Sequence, residues 1–312
     1  MENLQFSLNA TLPVFFMIFL GWLLRTKNVI DADLPKSLNK LVFNLMLPVL
    51  LFRDIATADI SESFSLGFFT FCFVVTILMF LIVWICSLFF IERSSRGAFC
   101  VCCCRGSAAV LGIAFSQNIY GNAGMVPMMI IASVPLYNIA SVILYSVYDS
   151  EQKQKSSLKK VILNIITNPL IIGIIAGIPF SVLKVDFPVI IDKCINNIAV
   201  LATPVGLLMA GAGFSLGVAR KKIMLISVSS FVKLVLLPVL FMPLAIVFGF
   251  RNQELIAILI MTGSPTTVAA YIMASSMNND SDLASGVVAV TTLFSAVTVT
   301  GAIFILRLFG YI

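Results

Sequence analysis

The stretch Gly263-Ser264-Pro265-Thr266-Thr267 interrupts an apolar run that otherwise extends over 254–276. A second apolar run, 99–119, is interrupted in the same manner by Gly106-Ser107, 157 residues earlier. Glycine loosens a helix, and proline removes a backbone donor and crowds the preceding turn. Inside hydrocarbon, an opened backbone is tolerated only where protein or a water-filled cavity satisfies it. Two matched breaks therefore mark a place where two segments meet around something polar.

Other landmarks repeat at nearly the same interval. Thr11, Pro13 and Gly21 return as Thr167, Pro169 and Gly177, and Pro48-Val49 returns as Pro204-Val205, each 156 residues on. That interval is half of the 312-residue chain. The reading is one transmembrane transporter domain, 1–312, made of two five-helix halves, 1–150 and 158–312. Five is odd, so the second half enters the membrane from the opposite face. Such inverted repeats are typical of secondary transporters, whose sites lie at interrupted helices in matching positions.

Composition agrees with a bilayer setting. The chain is 60% hydrophobic and 11% charged, against about 45–50% and 25% for soluble domains. Surface-to-volume scaling leaves a soluble domain too little interior for this much apolar area. A span needs about 20 mostly apolar residues. Ten spans are predicted: 6–24, 36–56, 66–91, 99–119, 124–147, 159–182, 189–217, 222–249, 254–276 and 283–309. The first is read as a membrane helix and not a signal peptide, because Glu2 precedes it and no Lys or Arg does.

Lys and Arg divide unequally between alternate loops. Fourteen fall within Arg25–Lys40, Arg93–Arg105, Lys153–Lys160 and Arg220–Lys222, against Arg53, Lys184, Lys193, Arg251 and Arg307 on the other side. The positive-inside rule then puts the four basic loops in the cytoplasm and both termini outside. The net charge of +6 is this excess and not a nucleic-acid patch. A short chain of this kind suits a bacterial inner membrane.

Histidine is absent, which removes His-based triads and His metal sites. Four of the seven cysteines crowd into Cys100–Cys104 without the C-x-x-C spacing of a zinc site. They read as small apolar helix residues. No metal site, catalytic group or cofactor is expected.

Several segments resemble the auxin efflux carrier family, bacterial members included. They are Leu12-Pro-Val-Phe with Gly21, the run from Leu38 to Pro48, Asn168-Pro-Leu-Ile-Ile, the run from Lys233 to Pro238, Ser264-Pro-Thr-Thr-Val-Ala-Ala-Tyr271, and the run from Gly286 to Ser295. The resemblance covers essentially the whole chain. It implies an all-α membrane protein of ten helices in a 5+5 inverted repeat. It also implies crossed, broken helices 4 and 9, as in bile-acid and sodium/proton transporters. The activity implied is transport of organic carboxylates, including malate-, malonate- or lactate-like acids in bacteria. Gly112 stands at the glycine of the family's Gly-x-Pro in the fourth helix. Ser107, Ala114 and Ala269 stand where the family often has Asn, Pro and Asn.

The candidate substrate-binding residues follow. Ser107, Ser264, Thr266 and Thr267 supply hydroxyls where the backbone opens, shaped by Gly112 and Pro265. Asn138 is an amide deep in the fifth helix. Lys233 lies about eleven residues into the eighth, and an intramembrane cation is functional by default. Asn44, Gln117 and Asn118 are weaker candidates, the last two at a helix end. Pro48 and Pro204 read as kinks. No midplane carboxylate pair is visible, which argues against a sodium/proton antiporter and leaves H+ or Na+ as an undetermined coupling ion.

The expected function is secondary active transport, efflux or uptake, of a small organic anion, a mono- or dicarboxylate such as malate or malonate. The alternatives are a transport-deficient sensor or regulator on a transporter scaffold, and a carrier of a less polar ligand. An enzyme is not expected, since no base stands near a nucleophile. The partners are the anion and the lipid bilayer, without nucleic acid, and a homodimer is left open.

Overall fold

The computed structural model of the chain describes residues 2–31, 33–57, 65–149, 163, 166–185, 187–214 and 216–312. Among them the regular structure is helical. The helices are α1 (Glu2–Thr26), α2 (Leu34–Leu41), α3 (Leu47–Ala56), α4 (Leu66–Phe90), α5 (Arg93–Cys104), α6 (Ala108–Tyr120), α7 (Val126–Val147) and α8 (Pro169–Leu183). They continue as α9 (Val189–Gly213), α10 (Leu216–Lys221), α11 (Ile223–Phe231), α12 (Leu237–Val247), α13 (Gln253–Gly263), α14 (Val268–Ser276) and α15 (Ser281–Leu308). Five helical stretches are long and apolar enough to cross a membrane: Leu66–Phe90, Val126–Val147, Val189–Gly213, Ile223–Val247 and Ser281–Leu308. Lys153, Lys155, Lys159 and Lys160, and the start of the sixth predicted span, lie outside the described residues.

Local chemistry sets the helix ends. Asn168 caps α8, its Oδ1 accepting from Leu170 N at 3.0 Å, with Pro169 at the first helical position where no donor is needed. Asp280 caps α15 through Leu283 N at 3.0 Å. Gly121, at φ 74°, ends α6 in the left-handed conformation that glycine adopts freely. Two π turns, Val42–Met46 and Val232–Leu236, join α2 to α3 and α11 to α12. Each precedes a proline, Pro48 or Pro238. A wider turn accommodates the ring and the missing donor without ending the helix.

Close packing runs through glycines. A Cβ added at Gly21 would lie 2.1 Å from the Leu208 carbonyl oxygen, so α1 and α9 touch backbone to backbone. A Cβ added at Gly211 would strike Ile18 O in the same interface, and one at Gly177 would lie 2.9 Å from Phe52 O of α3. Small residues permit this approach where lipid leaves packing and hydrogen bonds to drive association. The exterior is apolar: Phe90 is 84% exposed and Ile190 78%. Such a surface suits hydrocarbon and not water.

At one end Lys222 Nζ and Ser95 Oγ both bond the Asp280 carboxylate, and Arg93 and Arg96 lie 5.7 and 5.5 Å from the centre of the Tyr148 ring. These members of the basic set share a face. Arg105 does not join them. α5 begins at Arg93, six residues earlier than its predicted span, so Arg105 stands at the buried far end of that helix and not in a loop.

Candidate functional site

The helix α5–α6 opens at Arg105-Gly106-Ser107, and α13–α14 opens at Ser264-Pro265-Thr266-Thr267. The two open segments pair antiparallel. Ser107 N donates to Pro265 O at 2.8 Å, and Thr267 N to Arg105 O at 3.4 Å, around the bridge Gly106–Thr266. Each break thus satisfies backbone groups that the other frees, which is what a dry interior demands. Thr266 adds two bonds: its Oγ1 donates to Cys102 O at 2.7 Å, and its N–H donates to Thr291 Oγ1 at 3.1 Å. Glycine at 106 leaves room for its neighbours, because a Cβ there would crowd Ser264 Oγ and sit 3.0 Å from Lys233 Nζ.

Four half-helix ends converge at this pairing, and the chain treats them differently by polarity. The ends of α5 and α13 present carbonyl oxygens. Lys233 Nζ donates to three of them, Cys104 at 3.3 Å, Met261 at 3.3 Å and Thr262 at 3.0 Å. Its side chain is wholly buried. The starts of α6 and α14, at Ala108 and Val268, border a cavity of about 730 Å³. Unpaired N–H groups and the positive end of the helix dipole favour an anion at such starts. The cavity walls are mostly apolar, with Leu47, Leu50, Ile130, Ile131, Val134 and Leu207 among them, and the space runs out to Arg53, Asp54 and Thr57 at the end of α3. There Arg53 Nη2 pairs with Asp54 Oδ1 at 2.8 Å.

Arg105 also borders the cavity and is only 5% exposed. Its guanidinium donates to Asn138 Oδ1 at 2.8 Å, to Ser141 Oγ at 3.4 Å and to Met273 Sδ at 3.2 Å. All three partners are neutral. Among the described residues no carboxylate pairs with it. A buried charge without a counter-charge costs several kcal/mol, and neutral acceptors offset that only in part.

The sequence-predicted residues separate into groups. Ser107, Pro265, Thr266 and Thr267 border the cavity. Ser264 is sealed beside it, with a hydroxyl that has no partner. Asn138 reaches the site through Arg105, and its Nδ2 is bound to Val134 O at 2.9 Å. Gly112 packs in α6, where a Cβ would meet Val126 Cγ1 at 2.8 Å. Lys233 holds carbonyls and does not border the cavity. Asn44 is exposed and bonds its own helix at Lys40 O, 2.7 Å away. Gln117 and Asn118 are exposed at the far end of α6. Arg105 escaped the sequence reading because it was counted with the basic loop. Its position immediately before Gly106 was the available signal: it falls inside the predicted span 99–119, beside the interruption, and so outside a loop.

A family profile described as "Membrane transport protein" matches residues 6–303. A protein of Rhizobium meliloti (strain 1021) named "Putative malonate transporter" is 24% identical over 312 residues, covering 95% of this chain and 94% of that protein. The "Uncharacterized transporter YfdV" of Escherichia coli (strain K12) is 24% identical over 315 residues, covering 98% and 99%. A protein of the same name from Shigella flexneri matches to the same extent.

Proposed function

The chain belongs to the membrane transport protein family, and from that membership we propose that it is a secondary transporter of small organic anions, working by alternating access at the paired breaks. One observation carries the reading: the starts of α6 and α14 and the buried Arg105 all border a single cavity. Three sources of positive potential converge on one cavity, and no resident anion pairs with Arg105 among the described residues. An anionic substrate supplies that missing charge.

The proposed scaffold is ten spans as a 5+5 inverted repeat. Four of those spans run as two pieces each: α2–α3 and α11–α12 through π turns, and α5–α6 and α13–α14 through breaks. The glycine contacts support the symmetry. Gly21 against Leu208 and Gly177 against Phe52 exchange places under a shift of 156 residues, with the two halves trading partners. The basic face formed by Arg93, Arg96 and Lys222 is assigned to the cytoplasm of a bacterial inner membrane, with both termini outside. The cavity, which runs to the end of α3, then faces outward.

The relative named for malonate suggests a carboxylate. The apolar walls support a second, narrower reading, in which one carboxylate sits at the breaks and an apolar body fills the space beyond. Counterflow of radiolabelled mono- and dicarboxylates in proteoliposomes tests both. Saturable exchange of any acid supports the carrier reading. Binding without exchange points to a sensor, and indifference to every acid overturns the proposal.

A further inference from the structure

We propose that Lys233 is a tethered cation filling a site that a free monovalent cation would otherwise occupy, so that the paired breaks need no sodium. The inference rests on reading those breaks as the transport site, but its physical basis is local. An ammonium group has three donors. Lys233 directs them at Cys104, Met261 and Thr262, which leaves none for a substrate. The ends of α5 and α13 each carry roughly half a negative charge, and together they match about one positive charge. No carboxylate pairs with Lys233 among the described residues, so backbone dipoles are its whole counter-charge. The surroundings confirm how closed the place is. Gly106 packs beside the ammonium, where a Cβ would lie 3.0 Å from Nζ, and the unpartnered Ser264 hydroxyl faces the same glycine.

A chain of three buried carbonyl oxygens around one positive charge is chemically a site for a small monovalent cation. The tether changes its behaviour. A free ion could bind and leave with each cycle and so couple transport to its gradient. Lys233 cannot leave. The carbonyl ends stay neutralised in every state, and the positive starts of α6 and α14 keep their full effect on the cavity.

The test uses the purified full-length protein at constant ionic strength in sodium, potassium and choline chloride. Melting temperature of the wild type is expected to be the same in all three. Lys233→Ala opens the cage: it is expected to melt lower in choline and to recover by about 3 °C in sodium or propylammonium chloride. A variant indifferent to both additions overturns the proposal, as does selective stabilisation of the wild type by sodium. Lys233→Gln, which keeps an amide donor, takes the same comparison if the alanine variant does not fold. If neither folds, the wild-type comparison decides alone. These readouts need no substrate, so a protein that transports no acid can still pass them. A protein that exchanges acids yet is selectively stabilised by sodium fails this inference only.

Discussion

Arg105 and Lys233 are both buried cations whose side chains meet at the paired breaks, yet they have opposite surroundings. Lys233 is saturated by carbonyls, whereas Arg105 has an amide, a hydroxyl and a thioether. Substituting Arg105 therefore separates function from stability. Replacing a buried charge by an apolar group of similar volume is often neutral or stabilising. Arg105→Met should keep or raise the melting temperature while counterflow falls at least about tenfold, the scale of one lost charged hydrogen bond of roughly 1.5–3 kcal/mol. A residue serving only the fold would lose both together. The hydroxyls at 107, 266 and 267 were legible in the sequence because they lie inside the break itself. The division of labour between the two cations was not. Side chains of this length reach well beyond their own turn, and only the packed helices decide which end they meet.

At the scale of elements, the breaks hold each other open. Gly106 and Ser264 form the tightest point, and the Ser264 hydroxyl gains nothing from its burial. Gly106→Ala should destabilise by about 1–3 kcal/mol through overpacking. Ser264→Ala should be neutral or mildly stabilising, since it removes an unpaired buried hydroxyl. In the double variant part of the Gly106→Ala cost should return, read as a coupling energy from melting curves of all four proteins. Additive effects would mean that the hydroxyl is not what the methyl strikes. The α1–α9 interface makes a second case: Gly211→Ala puts a Cβ 1.9 Å from Ile18 O. Backbone cannot swing aside as a side chain can, so a larger fall in melting temperature is expected there than at Gly106. The ends of α7 and α15 were readable to within a few residues. The π turns were not, because hydropathy does not register a change in turn width. The early start of α5 was missed because Arg93 and Arg96 look like a loop until the Tyr148 ring is placed beside them.

For the molecule as a whole, the spacing of landmarks by half the chain was the most legible feature, since such a spacing survives any error in helix boundaries. Which face is closed was not, because closure is made by contacts between the halves. Asn39, fully buried in α2, donates to Ser275 Oγ at 3.2 Å and accepts at its carbonyl from Ser276 Oγ at 3.4 Å. These bonds tie the first half to the end of α14, on the side away from the end of α3. Under the proposed alternating access, this tie opens when the cavity closes at the other end. Thr203→Cys, in a background where the exposed Cys86 and Cys194 are replaced by serine, places one reactive thiol in the cavity. An impermeant maleimide added outside should label it, and a saturating transported acid should slow the labelling. Adding Asn39→Ala removes one donor from the tie. With a net worth of about 1 kcal/mol for such a bond, the inward-open population should grow roughly fivefold, and labelling from outside should slow wherever that state already holds an appreciable share. Faster labelling would place the tie on the opening path of the cavity and reverse the assignment of its faces.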